Sequence, residues 1–247
     1  VMQACSEQGI PLIVADRPNP NIHYIDGPVL EEGFKSFVGL HPVPIVYGMT
    51  IGEYALMLNG EGWHEAEACD LTVLPCRNYE RTIAYKLPIK PSPNLPTMES
   101  VYLYPSLCLF EGTKVSVGRG TSEPFTIIGE PGNKGGDFVF IPEPKEGAST
   151  NPKHKGATCQ GYDLSSFISE PVEISQLDLN WLVRMFEETD DRTDFFLESG
   201  YFDKLAGSDQ LRKDVIDGVE MDTIRKGWQK DLEKFEAIRV KYLIYKD

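Results

Sequence analysis

The chain has 247 residues, enough for one large domain or two small ones, and its hydrophobic content of 41% is typical of a globular core. Its 24 basic and 38 acidic residues give a formal charge of −14, which disfavours nucleic acid as a partner because phosphate backbones are repelled. No apolar run approaches the roughly 18–20 residues that cross a bilayer, so the sequence predicts no membrane span in this chain.

Residues 1–75 follow an α/β pattern. The segment VMQACSEQG is typical of a helix that ends at Gly9, and IPLIVAD (10–16) predicts a buried strand of a parallel sheet. A helix in this position normally follows an earlier strand, so we expect the chain to begin inside an α/β domain. Because an uncovered edge beside residues 10–16 would invite pairing, we expect an absent segment or another copy to cover it.

A capping box and a second strand follow. Thr50 and Glu53 have the spacing of a helix N-cap and its third helical residue, and they predict a helix over IGEYALMLN (51–59). The segment DLTVLP (70–75) predicts another short buried strand.

Residues 77–170 are rich in proline and glycine and predict short strands joined by long loops. The predicted strands are YLYPSLCLF (102–110), PFTIIG (124–129) and DFVFIP (137–142).

The last third is predicted to be helical. Ser175 and Ser208 are the predicted caps of two helices, the second of which stops at Gly218. A further helix carries an apolar face that predicts core packing, namely Ile224, Trp228, Leu232 and Phe235. The segment RVKYLIY (239–245) predicts an edge strand.

Cysteine and histidine spacing indicates no metal site. The five cysteines lack a C-x-x-C pair and are predicted to be free, buried thiols, and the four histidines show no i, i+4 pairing. Neither a phosphate-binding glycine loop nor a G-x-S-x-G motif is present. We therefore expect no cofactor.

The first candidate site is VADRPNP (14–20), at the carboxyl end of the predicted strand. Open α/β sheets bind ligands there, so Asp16, Arg17 and Asn19 are candidates. The alternative is an Asp–Arg pair with the asparagine closing a turn.

The second candidate is Asn94, which three prolines hold in KPSPNLPT (90–97) and which could read a sugar amide or hydroxyl. The alternative is a rigid linker whose Thr97 caps the following helix.

The densest polar stretch is FEGTKVSVGRGTSEPF (110–125). Its glycines permit close approach of a ligand, and Arg119 offers a planar fork that suits a carboxylate. Glu111 is a candidate for acid–base work. Other candidates are Thr113, Ser116 and Thr121. The alternative is a buried Glu111–Arg119 pair that only stabilises the loop.

These stretches together resemble the exo-β-N-acetylmuramidases of peptidoglycan recycling. The similar segments occur in the family's order: ADRPNP, GP at 27–28, FVGLHPVPIVYGMTIGE, PSPNLPT, YP, EGTKVSVGRGTSEPF, GEP and FDKLAGSDQLRKDVIDG. The resemblance implies an α/β fold, the C-terminal part of a Rossmann-like parallel-sheet domain at 1–82 followed by an α/β (α+β) subdomain at 83–247.

The resemblance also implies a function. These enzymes release N-acetylmuramic acid from the non-reducing ends of peptidoglycan fragments, so the expected partner is a peptidoglycan-derived sugar and the expected location is extracytoplasmic. Arg119 would bind the lactyl carboxylate of that sugar. Glycosidases ordinarily use two carboxyl groups, and Glu111 and Asp16 are the candidates, expected to face one cleft.

The chain also departs from the family pattern. A Gly-Pro-Glu-His-Gly motif, the expected source of a catalytic carboxylate, precedes DRPNP in the family and has no match here. NIHYID replaces a glycine-rich stretch, and Tyr47 stands where the family has a histidine. These departures leave a non-catalytic carbohydrate-binding module, or an inactive fragment, as the alternative function. A nucleotide-sugar protein is disfavoured by the missing phosphate-loop motifs.

Overall fold

The computed structural model describes residues 1–168 and 174–246 and shows a mixed α/β fold, as predicted. Its strands are β1 Leu12–Ala15, β2 Asp26–Val29, β3 Pro44–Val46, β4 Leu71–Leu74, β5 Ile127–Glu130, β6 Phe138–Phe140 and β7 Cys159–Asp163. Its α-helices are α1 Met2–Glu7, α2 Ile51–Gly60, α3 Met98–Leu107, α4 Asn180–Glu188, α5 Tyr201–Ala206, α6 Gln210–Ile216 and α7 Met221–Arg239.

The strands form small sheets. β1 and β4 pair in parallel, β2 and β3 are antiparallel, and β7 lies between β5 and β6 with antiparallel pairing to both. The sequence predicted β1, β4, β5 and β6 but missed β2, β3 and β7. The predicted division at residue 82 stays a prediction, although the largest hydrophobic cluster joins Tyr24 and Val46 to residues of the later segment.

The predicted capping box starts α2. The Thr50 side chain accepts the Glu53 N–H, and the Glu53 carboxylate accepts the Thr50 N–H. The prediction that residues 10–16 are buried is wrong in part. Ile13 and Leu74 are 65% and 53% exposed, because no described element covers their face of the β1–β4 pair, while the opposite face packs near α1 and α2.

The predicted strand at 102–110 is wrong, because this segment belongs to α3 and the 3₁₀ turn Cys108–Gly112. Thr97 and Ser100 form a capping box, the alternative that the sequence left open. Pro105 lies inside α3 and has no N–H for the Val101 carbonyl, which instead accepts a hydrogen bond of 3.0 Å from Asn21 Nδ2. A distant side chain thus makes the helix compatible with its proline.

The predicted helix caps of the last third are also corrected. α4 begins only at Asn180, whose N–H donates to Asp178, and within the described residues Ser175 is not its cap. Ser208 precedes the N-cap of α6 by one residue and makes no capping hydrogen bond. The sequence missed α5 altogether.

The end of the described chain is not a strand. α7 carries the predicted buried face of Ile224, Trp228, Leu232 and Phe235. It extends to Arg239, and residues 240–246 form a turn and an extended stretch instead of the predicted edge strand. Glu53 accepts the Ile244 N–H at 2.9 Å and so holds this stretch against the start of α2.

The described residues contain no helix that is long and apolar enough to cross a membrane. They also contain no cluster of acidic, histidine and cysteine side chains that could hold a metal ion. All five cysteines are free; Cys69, Cys108 and Cys159 are buried, whereas Cys5 and Cys76 are half-buried, so the predicted burial is confirmed for three of them.

Candidate active site

Glu111 lies on a rigid turn. The 3₁₀ turn that follows α3 buries Phe110 completely and presents Glu111 with its side chain 21% exposed. Gly112 lets α5 approach, because a Cβ there would collide with the backbone of Phe202. The turn is therefore fixed by packing on both sides of the carboxylate.

Arg119 pairs with Glu111 across the glycine-rich loop. The Arg119 Nη1 donates to Glu111 Oε1 at 2.6 Å, and the arginine side chain is 40% exposed. Gly118 and Gly120 have φ values of +73° and +89°, and a Cβ on Gly120 would lie 2.7 Å from the Glu143 carbonyl. The loop therefore requires glycine on both sides of the arginine.

The arginine keeps unused donors. Arg119 Nε is buried and has no hydrogen-bond partner in residues 1–168 and 174–246. A guanidinium has five N–H donors, and a planar pair of them matches a carboxylate. Arg119 can thus hold Glu111 with one nitrogen and still bind an anion.

Two cavities meet at Glu111. The smaller cavity has a volume of about 340 Å³, and its wall includes Glu111, Arg119, Lys153 and Tyr201. The larger has a volume of about 620 Å³, and its wall also includes Glu111 and Tyr201. Among the described residues, Glu111 contributes the one carboxylate to the two cavity walls. A ligand that extends from one cavity into the other would therefore pass beside it.

Lys153 holds in place the turn that carries Glu111, a role that the sequence analysis did not predict. Its ammonium donates to the carbonyls of Phe110 at 2.9 Å, Val115 at 3.1 Å and Thr113, and lies 3.4 Å from that of Glu111. Burial lowers the pKa of Lys153 to about 8, and the nearby Glu111 opposes part of that shift. No motif pointed to Lys153, because it lies forty-two residues from Glu111 in the chain.

Tyr201 supplies a neutral hydroxyl beside the carboxylate. Burial raises the pKa of Tyr201, and the charge of Glu111 raises it further. The phenol therefore keeps its proton at neutral pH and can donate a hydrogen bond at the meeting point of the cavities.

The remaining candidates in this loop mainly shape the loop itself. Thr113 is fully buried and donates to the Phe110 carbonyl, and Thr121 donates to that of Gly118 at 2.7 Å. Both hydroxyls are thus already used within the loop, and neither threonine lines the two cavities, so sugar binding by these residues stays a prediction without support from these contacts. Ser116 is 2% exposed but does contribute to the wall of the smaller cavity.

Asp16 is held at a structural junction. Its Oδ1 accepts the N–H groups of Arg17 and Gly52 at 2.9 and 2.8 Å, and its Oδ2 accepts the hydroxyls of Thr50 and Tyr245 at 2.7 and 2.6 Å. Asp16 lines neither cavity that Glu111 lines. The two cavity walls therefore do not support a shared cleft for the two carboxylates, which stays a prediction.

Asn19 and Arg17, the other two candidates in residues 14–20, differ in their contacts. Asn19 closes the turn as the structural alternative proposed: its Oδ1 accepts the Asn21 N–H, and its Nδ2 donates to the Met49 carbonyl. Arg17 is exposed, and its guanidinium makes no hydrogen bond within the described residues. Arg17 thus remains a candidate for binding, whereas the Asn19 side chain is occupied.

Asn94 lines neither of the two cavities. Its Nδ2 donates to the Ala148 carbonyl at 3.1 Å, and its N–H donates to Ser92 Oγ at 3.2 Å. These contacts fasten the proline-rich segment to the loop near Ser149. Any effect of Asn94 on the smaller cavity would pass through that loop.

The fold and the site together define a class of protein. An α/β chain with concave cavities, aromatic walls and a few fixed polar groups is typical of proteins that bind small molecules. The chain belongs to the exo-β-N-acetylmuramidase NamZ family. The model of the family's N-terminal region matches residues 1–99, and the model of its C-terminal region matches residues 102–245.

Individual relatives agree with this membership. The peptidoglycan β-N-acetylmuramidase NamZ of Bacillus subtilis (strain 168) is 38% identical over 99% of this chain. The chain spans 62% of the length of that curated relative.

Solved structures share the fold. The crystal structure of a DUF1343 family protein from Bacteroides fragilis NCTC 9343 is 44% identical, with a TM-score of 0.94 over 100% of this chain and 69% of the other. A second DUF1343 family protein from that organism is 26% identical, with a TM-score of 0.79 over 99% of this chain and 69% of its own.

Proposed function

We propose that this protein hydrolyses the glycosidic bond of a terminal N-acetylmuramic acid in peptidoglycan fragments and releases that sugar. The Glu111–Arg119 pair at the meeting point of the two cavities is the observation that carries the proposal. Membership of the exo-β-N-acetylmuramidase NamZ family supports it. Because the substrate is cell-wall material, the proposal includes an extracytoplasmic location.

The smaller cavity fits the released sugar. N-acetylmuramic acid carries a lactyl carboxylate, and the cavity has two cationic side chains, Arg119 and Lys153, against the single carboxylate of Glu111. In a chain of formal charge −14, such a local excess of positive charge favours an anion. We assign the lactyl carboxylate to the free donors of Arg119.

Glu111 is the group that faces the reacting atoms. Hydrolysis protonates the leaving oxygen and adds water at the anomeric carbon, and a carboxyl group at the bond can transfer either proton. A second group is needed in the usual mechanisms, either another carboxylate or the substrate's own acetamido oxygen. The described cavity walls offer Glu111 for one role only.

The test is to incubate the purified protein with peptidoglycan fragments that end in N-acetylmuramic acid and to detect the free sugar by mass spectrometry. Arg119→Ala should weaken binding of the lactyl-bearing sugar by about 1.5–3 kcal/mol, the scale of a hydrogen bond to a charged group. Binding of the matching N-acetylglucosamine glycoside, which lacks the carboxylate, should change little. An unchanged preference in the variant would contradict the role of Arg119.

A non-catalytic binding module is the second candidate, because Glu111 is the single carboxylate on the described cavity walls and Asp16 is used elsewhere. A module would bind the muramic sugar with the same Arg119 dependence but release none. Measuring binding and release on one preparation separates the two functions.

A further inference from the structure

The ammonium of Lys153 lies in a ring of backbone carbonyls. It donates to the carbonyl oxygens of Phe110 at 2.9 Å and Val115 at 3.1 Å, and also to that of Thr113. The carbonyl oxygen of Glu111 lies farther away, at 3.4 Å. Because an ammonium has three protons, these three bonds occupy all of its donors. Lys153 therefore lines the smaller cavity but has no donor left for a substrate anion there.

These carbonyls lie on both sides of Glu111 along the chain. Phe110 precedes it, Thr113 and Val115 follow it, and all three are buried. Carbonyl dipoles that point at one centre repel one another, and a cation at that centre compensates them, as in the carbonyl sites of ion channels. Removing the positive charge should therefore displace the backbone that carries the Glu111 side chain.

The backbone that carries Lys153 is fixed on both sides of it. A Cβ on Gly120 would lie 2.7 Å from the Pro152 ring, so the preceding residue packs closely against the glycine-rich loop. The following residue, His154, places its Nε2 2.7 Å from the Lys114 carbonyl oxygen and has a φ of +54°, which is unusual for a residue other than glycine. Strained backbone of this kind clusters at functional sites.

We propose that Lys153 is a positioning residue for the hydrolysis: its ammonium keeps the Glu111 carboxylate in its reactive place through the three backbone carbonyls and does not touch the substrate. This inference rests on the proposed function, since it takes Glu111 as the group at the reacting bond. The turn requires the cation and its N–H donors, not the lysine side chain as such. A free alkylammonium ion should therefore replace the side chain when the ring is emptied.

The same ring makes activity depend on pH. Burial lowers the pKa of Lys153 to about 8, so the ring holds a cation below that pH and a neutral amine above it. The neutral amine has two donors and a lone pair that faces a carbonyl oxygen, so the release rate should fall as the pH rises through about 8.

No neighbouring group explains a decrease at that pH. The charged groups that face Lys153 are Glu111 and Arg119. Carboxyl groups titrate in the acid range, and guanidinium groups stay charged. Tyr201 shares the cavity, but burial and the charge of Glu111 raise its pKa above the usual value. The alkaline decrease is therefore a property of Lys153.

The first arm of the test measures the kinetics of release from a chromogenic N-acetylmuramic acid glycoside. Lys153→Met keeps most of the side-chain length and removes the charge, and it should lower kcat about 10- to 100-fold with little change in KM, the scale of a misplaced reacting group. Lys155→Met, on an exposed residue of the same loop, is the matched control and should behave as wild type. A raised KM with unchanged kcat would show that Lys153 binds the substrate anion directly and would overturn the inference.

The second arm refills the ring from solution. Methylammonium or ethylammonium, added at rising concentration to Lys153→Ala, should restore most of the lost kcat and leave wild type unchanged. Tetramethylammonium carries the same charge but no N–H donor, so it should not restore activity. Equal effects of the two kinds of salt, or no recovery in the folded variant, would contradict the proposal.

The third arm records kcat against pH. Wild type should lose activity as the pH rises through about 8, whereas Lys153→Met should lack this decrease at its lower rate. Lys153→Arg, whose guanidinium stays charged, should retain activity to higher pH than wild type. The same alkaline decrease in Lys153→Met would assign it to another group.

The last arm does not depend on activity or on a folded variant. Backbone amide NMR signals of residues 110–116 in wild type should shift with the same midpoint as the rate, because the turn responds to the charge of Lys153. Amide signals that stay constant through this pH range would overturn the inference. Absence of sugar release by wild type would contradict the proposed function alone, and the NMR titration would still decide the role of Lys153.

Discussion

Acidic side chains in two regions of the molecule look alike in the sequence but have opposite surroundings in the structure. At the junction of β1, α2 and the chain end, Asp16 accepts four hydrogen bonds, and Glu53 is fully buried against Arg81 at 2.5 Å. At the cavities, Glu111 is partly exposed and accepts one side-chain hydrogen bond from the described residues, that of Arg119.

This difference distinguishes a carboxylate with a structural role from a carboxylate that can react with a substrate. A carboxylate has about four acceptor positions, and Asp16 uses four, so little capacity is left for a substrate. Glu111 uses one of its positions and faces open space on two sides. Mutations at the junction should therefore change stability, and mutations at the cavities should change activity.

The largest expected effect is on activity at the cavities. Glu111→Gln should lower the rate of N-acetylmuramic acid release by about 10²–10⁴-fold, the usual contribution of a positioned acid or base. Its free energy of unfolding should change by less than about 1 kcal/mol, because the pair with Arg119 is partly exposed. Glu123→Gln, on an exposed residue of the same loop, is the control. Full activity of Glu111→Gln would show that the carboxylate at the cavities is no more reactive than those at the junction.

The next effect is on stability at the junction. Glu53→Gln breaks the ion pair that fully buried Glu53 makes with Arg81, which is 3% exposed, and should lower the free energy of unfolding by about 3–5 kcal/mol. Asp190→Asn breaks an ion pair with Lys134 whose side chains are both more than half exposed, and should cost about 0–1 kcal/mol. Chemical denaturation of both variants measures the contrast, and equal losses would show that burial does not set the strength of these pairs.

Asp16→Ala should cost about 2–3 kcal/mol of unfolding free energy, because it leaves the Gly52 N–H and the Thr50 and Tyr245 hydroxyls without their acceptor. Binding of the muramic sugar by the folded variant should be retained. Asp70→Ala, on an exposed aspartate next to β4, should be near neutral. Loss of sugar binding by folded Asp16→Ala would instead return Asp16 to the site.

The smallest effect is expected for Tyr245→Phe. This change removes the hydroxyl that donates to Asp16 and accepts the Cys76 N–H, but keeps the ring against Tyr79. A loss of about 1 kcal/mol is expected in thermal or denaturant unfolding. Tyr242→Phe, which removes a single hydroxyl bond to Glu61 at the end of α2, should cost less. A larger loss for Tyr242→Phe than for Tyr245→Phe would show that the stabilising contact lies outside the junction.

The sequence by itself determined the features that depend on near neighbours. The capping box of Thr50 and Glu53 and the apolar face of α7 both follow from spacings of a few residues. The sequence analysis likewise named a Glu111–Arg119 pair as one alternative, because the two residues are eight positions apart on one loop.

Only the tertiary structure decided which polar groups are free. Tyr245 occupies Asp16 across 229 positions, Lys153 supports Glu111 across 42, and Asn21 satisfies the carbonyl that Pro105 leaves open across 80. No local pattern encodes these partners, because hydrogen-bond capacity is consumed in space and not along the chain. For that reason the sequence named both Asp16 and Glu111 as candidates, and only the folded chain left one of them free to react.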